Sequence, residues 1–384
     1  MFADVRACPP VCLIQPTRFP EASRVDIFEY ALALAGEGVK VHVIISENLA
    51  VGLPAGLTVH ALGFPPDNTP ARWWRFAAAA RSIVRRLLRE HDLRIVHLFN
   101  PSPATYLLGW MLSQQPDRPR IIYDVRTGGL GRRPSALLVN AMARSAPRFA
   151  DRVIVLTDLL ARRLYGDPYG KGIRVVSLGV NLASFRPSAV QRRGEFVFVY
   201  SGTLSKNRGL SSMLTAFSQV YRRHPQARLR IAGDGDDEVN LRMLAEKLDL
   251  HGAAEFLGRR PYSEVPAILA GADCGLSYVP DTAWFQPQPQ LKTLEYLATG
   301  LPVVAVGAQG NRAVWKGLPP ELLTGDSPGQ FAAGMLFAIE HCDRFEVNFR
   351  GQAERYSWEV ITRGSLLPLY LELLGEEVGS SVSS

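Results

Sequence analysis

At 384 residues the chain exceeds what one hydrophobic core usually supports, which favours two α/β domains. Its 47% hydrophobic and 21% charged residues exclude a disordered chain, and no apolar run reaches the roughly 18 residues that span a bilayer. The net charge of +7 is uneven: residues 1–180 hold 23 Lys and Arg against 14 Asp and Glu, so the first half points to an anionic partner such as nucleic acid, anionic lipid or a phosphorylated substrate.

The first residues show neither a long apolar stretch nor a cleavage pattern, so a cytosolic protein is expected. Cys8 and Cys12 lack the spacing and partners of a metal site, and four cysteines are too few for a disulfide scaffold. Residues 11–15 read as a strand followed by a Pro-rich turn at 16–20. Residues 24–37 have helical apolar spacing and stop at Gly36 and Gly38. Residues 39–45 are β-branched and short, hence a strand, and further strands are expected at 94–98, 120–123, 152–156 and 174–178. Between them, residues 71–91 form an amphipathic helix on a wheel of about 100° per residue, with Phe76, Ala77, Ala80, Ile83, Val84, Leu87 and Leu88 on one side. Arg75, Arg81, Arg85, Arg86 and Arg89 lie opposite, with Trp74 at the boundary. That helix either packs on a sheet and shows its arginines to water, or sets them against anionic lipid. No recognised nucleic-acid module accompanies it.

After a polar stretch at 187–195, with a hinge expected near 186–195, a second series opens with a buried strand at 196–200. The turn Gly202-Thr203-Leu204-Ser205-Lys206-Asn207-Arg208-Gly209 and a helix at 210–224 follow, then strands at 228–232, 254–257, 274–278 and 302–306. Both halves alternate strands with helices, which implies two parallel doubly wound sheets. A disordered tail is expected from residue 375.

Three places carry chemistry. The loop 202–209 has glycines that admit a phosphate to the backbone and cations that neutralise it. A helix start near Leu291 offers free N–H groups to a phosphate beside Lys292, with Glu295 one turn on. Spacing alone leaves open the alternative of a surface helix with an ordinary Lys–Glu pair. His97 ends a strand, where structural and functional histidines are equally at home. The sequence Asp234-Gly235-Asp236 reads as a solvated turn rather than a metal site.

The stretch Glu295-Tyr296-Leu297-Ala298-Thr299-Gly300-Leu301-Pro302-Val303-Val304-Ala305 resembles the signature of the retaining GT-B glycosyltransferases of family 4. That family has Glu, seven residues, Glu, a helix and a Gly-x-Pro-Val-Val-Ala strand. Its first Glu falls here at Pro287, within Phe285-Gln286-Pro287-Gln288-Pro289-Gln290. The loop 202–209 is similar to the family's donor-diphosphate loop, with Arg208 at the Lys position and Thr203 at the Arg position. Ile231-Ala232-Gly233-Asp234-Gly235 and Phe256-Leu257-Gly258-Arg259-Arg260 resemble its next two strand ends. Gly179 to Pro187 is similar to the interdomain segment, with Asn181 for Asp, and Tyr356-Ser357-Trp358 to the start of the terminal crossover helix. Glu21-Ala22-Ser23 stands where the family has its Gly-Gly acceptor loop, and Arg126 where a His often follows the strand that ends at Tyr123–Asp124.

The resemblance implies a GT-B fold: two Rossmann-like doubly wound domains at 1–186 and 195–355, a terminal helix at 356–374 returning to the first, and the tail 375–384. It implies retaining, metal-independent transfer of a hexose-like unit from a nucleoside diphosphate sugar to an acceptor hydroxyl, with no further cofactor. The pathway would be that of a cell-surface polysaccharide, glycolipid or other glycoconjugate. Donor contacts would come from Gly202, Thr203, Lys206, Arg208, Gly233, Gly258, Gln288, Gln290, Leu291, Lys292 and Glu295, the last on the ribose hydroxyls, and Gln286 is a further amide candidate. Arg208, Lys292 and His97 are the catalytic candidates, and Arg126 and Gly128 lie on the acceptor side. Two other readings share the fold. One is a nucleotide-sugar epimerase, and the other a non-catalytic relative that binds nucleotide or a partner, for which Pro287 speaks.

Overall fold

Runs of β-branched and aromatic residues bury on both faces only when helices cover both sides of a parallel sheet. In the computed structural model, which describes residues 8–19, 25–48, 55–63, 69–129, 134–187, 194–342, 345 and 347–375, these runs assemble into two such sheets. The first comprises β1 (Val11–Phe19), β2 (Val41–Asn48), β3 (Leu57–Ala61), β4 (Ile95–Phe99), β5 (Arg120–Val125), β6 (Arg152–Val155) and β7 (Ile173–Val175). Its order is β3-β2-β1-β4-β5-β6-β7, parallel throughout. The second comprises β8 (Phe196–Ser201), β9 (Ala227–Ala232), β10 (Ala254–Gly258), β11 (Cys274–Ser277), β12 (Val303–Val306) and β13 (Leu323–Thr324). Its order, β10-β9-β8-β11-β12-β13, repeats the pattern, again in parallel. In each sheet the strand order reverses beside the first strand, between β1 and β4 and between β8 and β11. Sheets of this kind bind ligands beyond the carboxyl ends of the strands at that point.

β1 continues through the expected turn at 16–20. Pro16 is tolerated because β4 pairs only as far as Ile14, and the register with β2 shifts between Gln15 and Arg18. The edge strands β3 and β13 escaped the sequence reading, being short and only partly buried. The helix Pro70–Glu90 buries Phe76, Ala77, Ala80, Val84 and Leu87 in one core with Cys12, Ile14, Val96 and Leu98. Each such fully buried large side chain contributes about 1.5–3 kcal/mol.

The chain divides into two compact units, Met1–Leu178 with Trp358–Ser384, and Gly179–Ser357. It therefore enters the second unit at Gly179, before the hinge expected near 186–195. The reason is packing: Val180 bridges to Ser357, and Phe185 is fully buried in the second core. The return begins at Trp358, whose ring meets Tyr30 edge-on at 4.9 Å. Further along, Arg363 pairs with Glu37 at 2.6 Å, and Glu372 takes Arg152 at 2.7 Å and Arg174 at 2.9 Å. This segment is not one regular helix. Trp358–Ile361 and Leu367–Leu374 flank a wide turn at Thr362–Leu366, because Pro368 cannot donate to the carbonyl four residues back. The acceptor-loop positions Glu21, Ala22 and Ser23, and the tail from residue 376, lie outside the described residues.

Candidate functional site

The second sheet's reversal point is built first by the loop after β8. Ser201 N donates to the Tyr296 hydroxyl at 2.8 Å, and Gly202 N to Ala232 O at 2.9 Å. The backbone after β9 passes so close that a Cβ on Gly233 would lie 1.9 Å from Gly202 O, so only glycine fits there. The turn at Asp234 to Asp236 then braces the loop: Leu204 N donates to Asp234 O at 2.7 Å, and Lys206 N to the Asp236 carboxylate at 3.2 Å. Thr203 and Lys206 are exposed, and the single turn Lys206–Arg208 leads through the left-handed Gly209 into the helix Leu210–Arg223.

Opposite this loop, the helix Leu291–Ala298 begins at Gln290 without a side-chain cap; Thr293 N donates to Gln290 O at 3.0 Å, and no side chain caps the N–H groups ahead of it. Every residue from Lys292 to Ala298 is buried, which overturns the surface-helix alternative. The Lys292 ammonium lies 3.9 Å from the centre of the Tyr200 ring and has no hydrogen-bond partner. A Cβ on Gly202 would stand 3.0 Å from it, so the small residue keeps room beside the cation. Burial, and secondly Arg208, hold the Lys292 pKa well below the usual lysine range against the pull of Glu295. Arg208 also carries a buried Nη1 without a partner. Two cations thus sit together with donor capacity unused, an arrangement that costs stability unless an anion arrives.

Glu295, 4% exposed, accepts 2.8 Å from the Tyr262 hydroxyl. Gly258, at φ 69°, ends β10 just before that tyrosine. Gln288 and Gln290 are buried at the helix start, where the Gln290 amide donates to Gln288 O at 3.3 Å. Gln286 is otherwise committed: its side-chain oxygen accepts from Gln309 N at 2.8 Å, and its amide nitrogen donates to Asp281. It locks the 286–290 loop and is not an amide for a sugar.

The remaining candidates belong to the first unit. His97 is fully buried, with Nδ1 2.8 Å from the Tyr370 hydroxyl, Nε2 3.1 Å from Asp124, and its ring stacked on Phe99 at 4.2 Å. Burial lowers its pKa despite the bond to Asp124. With both nitrogens engaged, His97 holds Asp124 in place and leaves the catalytic set. Arg126, 2% exposed, pairs with Asp124 at 2.8 Å and lies 4.7 Å over the Tyr30 ring. Burial opposes its charge, but Asp124, Tyr30 and Asp26 outweigh that and raise its pKa. Its role is this ion pair, and Gly128 remains half-buried at the loop end, held by Asn140, which accepts 2.8 Å from Gly129 N. Sequence reasoning missed Tyr200 and Tyr262. Tyr200 sits in a strand buried up to its last residue, and Tyr262 follows Pro261 in a loop where nothing local marks it.

Two family models match the chain: the glycosyl transferase 4-like domain over residues 23–179, and glycosyl transferases group 1 over residues 183–340. The chain is a group 1 glycosyltransferase. It is 23% identical over 377 residues to the phosphatidyl-myo-inositol mannosyltransferase of Mycolicibacterium smegmatis, covering 95% of this chain and 93% of that protein. The D-inositol 3-phosphate glycosyltransferase of Corynebacterium jeikeium is 31% identical across 58% of each chain. Among solved structures, the sucrose-phosphate synthase of Thermosynechococcus elongatus superposes with a TM-score of 0.77 at 16% identity, covering 96% of this chain and 100% of that one. The Anabaena HepE protein, in complex with UDP and glucose, gives 0.71 at 16% identity over 94% of this glycosyltransferase and 99% of its own chain. The two parallel-sheet units are thus a GT-B fold. Both matched families are transferases, which does not favour the epimerase alternative.

Proposed function

We propose that this glycosyltransferase moves a hexose-like unit from a nucleoside diphosphate sugar to an acceptor hydroxyl with retention, without a metal or further cofactor. The observation that carries the reading is the pair of buried, unpartnered cation groups, Lys292 Nζ and Arg208 Nη1, beside the uncapped helix start at Leu291. Such a pocket suits a diphosphate leaving group: fixed N–H donors and cations stabilise the charge that develops as the anomeric carbon–oxygen bond breaks. Lys206 at the rim and the backbone at Gly202, Thr203 and Gly233 line its approach, while Glu295 takes the ribose hydroxyls and Gly258, Gln288 and Gln290 flank the nucleoside and sugar. The acceptor oxygen bonds to the anomeric carbon on the face the diphosphate leaves, and its proton passes to a departing phosphate oxygen. Gly128 lies on the acceptor side. The full chain is incubated with a panel of nucleoside diphosphate sugars and acceptor alcohols, with nucleoside diphosphate release as readout. Removing one such cation lowers kcat by about 10²–10³, so undiminished transfer by Arg208→Ala plus Glu295→Ala would refute the assignment.

The acceptor is presented at an anionic membrane surface, in a glycolipid, polysaccharide or related glycoconjugate pathway. No helix among the described residues is long and apolar enough to cross a membrane. The apolar face of Pro70–Glu90 is buried in the core, so docking uses its outer face: exposed Arg75, Arg85, Arg86 and Arg89, with Trp74 58% exposed. Each arginine adds about 1 kcal/mol near anionic lipid. Co-sedimentation with anionic but not zwitterionic vesicles, lost at high salt, is expected, and equal binding to both would refute docking by charge.

A further inference from the structure

Tyr262 lies outside every motif that the sequence offered, yet its hydroxyl donates 2.8 Å to Oε1 of Glu295. It sits in the single turn Tyr262–Glu264. Its ring is met edge-on by Phe185, with centroids 5.8 Å apart at 60°, and Phe185 is fully buried. Phe185 belongs to the segment by which the chain enters the second unit at Gly179. Arg350 ties the same parts together from the other side. Its guanidinium donates to the carbonyls of Phe185 at 2.7 Å and Leu182 at 3.1 Å, and to that of Ala298, the last residue of the helix carrying Glu295.

We propose that Tyr262 is a positioning residue for donor recognition: it sets the plane of the Glu295 carboxylate so that both oxygens meet vicinal ribose hydroxyls, and Phe185 keeps Tyr262 there. The inference rests on the reading of Glu295 as the ribose-binding group. A carboxylate offers about four acceptor positions, so one phenol fixes its orientation without exhausting it. A glutamate has three rotatable bonds, and anchoring one oxygen before the ligand arrives removes the ordering cost that binding would otherwise carry. The entry segment thereby becomes part of the nucleoside pocket, through Phe185, Tyr262 and Glu295 in series.

The experiment measures calorimetric binding of uridine, guanosine and adenosine diphosphates and their 2′,3′-dideoxy counterparts to the full chain. Tyr262→Phe keeps the ring and its Phe185 contact but removes the hydroxyl. The preference for ribose over dideoxyribose is expected to fall about tenfold, the weight of a hydrogen bond to a charged group. Affinity for the dideoxy form should be unchanged. Arg208→Ala weakens both forms alike and leaves the preference intact. Phe185→Leu lowers the preference as Tyr262→Phe does, and the double variant goes no further. A Tyr262→Phe protein with the wild-type preference would overturn the proposal while leaving the donor site standing. A Glu295→Gln protein that keeps the preference, or a wild type that binds no nucleoside diphosphate, would overturn the underlying reading as well.

Discussion

Replacing Lys292 by methionine tests whether the pocket is maintained at the expense of stability. Methionine has nearly the same length and volume, so packing is kept and only the ammonium is lost. In the free protein Lys292 is 7% exposed and its buried ammonium has no hydrogen-bond partner. Its contact with the Tyr200 face returns at most about 2 kcal/mol, whereas an uncompensated buried ion still costs several kcal/mol after relaxation. Desolvation therefore wins, and Lys292→Met should stabilise the unliganded second unit by about 1–3 kcal/mol, or about 2–4 °C per kcal/mol in Tm. The sign with pH follows from the lowered pKa. Between the folded pKa and the ordinary lysine value the unfolded chain binds the extra proton, so wild-type stability rises with pH. The gap between variant and wild type is widest below the folded pKa and closes as pH approaches about 10.4. The same variant should bind nucleoside diphosphate about 10–150-fold more weakly, from the loss of one charged contact of about 1.5–3 kcal/mol. Thermal unfolding with and without nucleoside diphosphate, across a pH series, measures both effects. A variant less stable than wild type, or one whose ligand-induced shift is undiminished, would refute the reasoning.

Binding should also take up a proton, because diphosphate charge restores a pKa that burial and Arg208 lower. Affinity then falls as pH rises through the free-state pKa of Lys292, and calorimetry in buffers of different ionisation enthalpy reads the uptake directly. Gly233→Ala forces a Cβ to 1.9 Å from Gly202 O. It should cost at least about 1–3 kcal/mol in denaturant unfolding and weaken nucleotide binding, and wild-type values for both would show that the two loops do not meet. Arg126→Met leaves Asp124 fully buried without its cation, so chemical denaturation should show a loss of about 3–5 kcal/mol in the first unit. Unchanged stability would return Arg126 to the acceptor side.

Much of the fold was open to inspection in the linear chain, because parallel strands buried on both faces must be continuous apolar runs, and their alternation with helices leaves few topologies. The loop 202–209 and the stretch from Leu291 to Glu295 were legible for a similar reason: glycines, cations and a helix start lie within one short segment each. What local pattern could not disclose is whatever depends on neighbours distant in sequence. Spacing left Lys292 and Glu295 equally at home on a surface helix, and only packing of that helix against β11 and β12 made them buried. His97 stood equally for a structural or a catalytic group until Tyr370, 273 residues away, closed its second nitrogen. Gln286 looked like its neighbours Gln288 and Gln290 until the backbone at Gln309 claimed it. Burial and hydrogen-bond satisfaction are properties of a three-dimensional neighbourhood, and they separate a charged residue poised for a ligand from one that already has its partner.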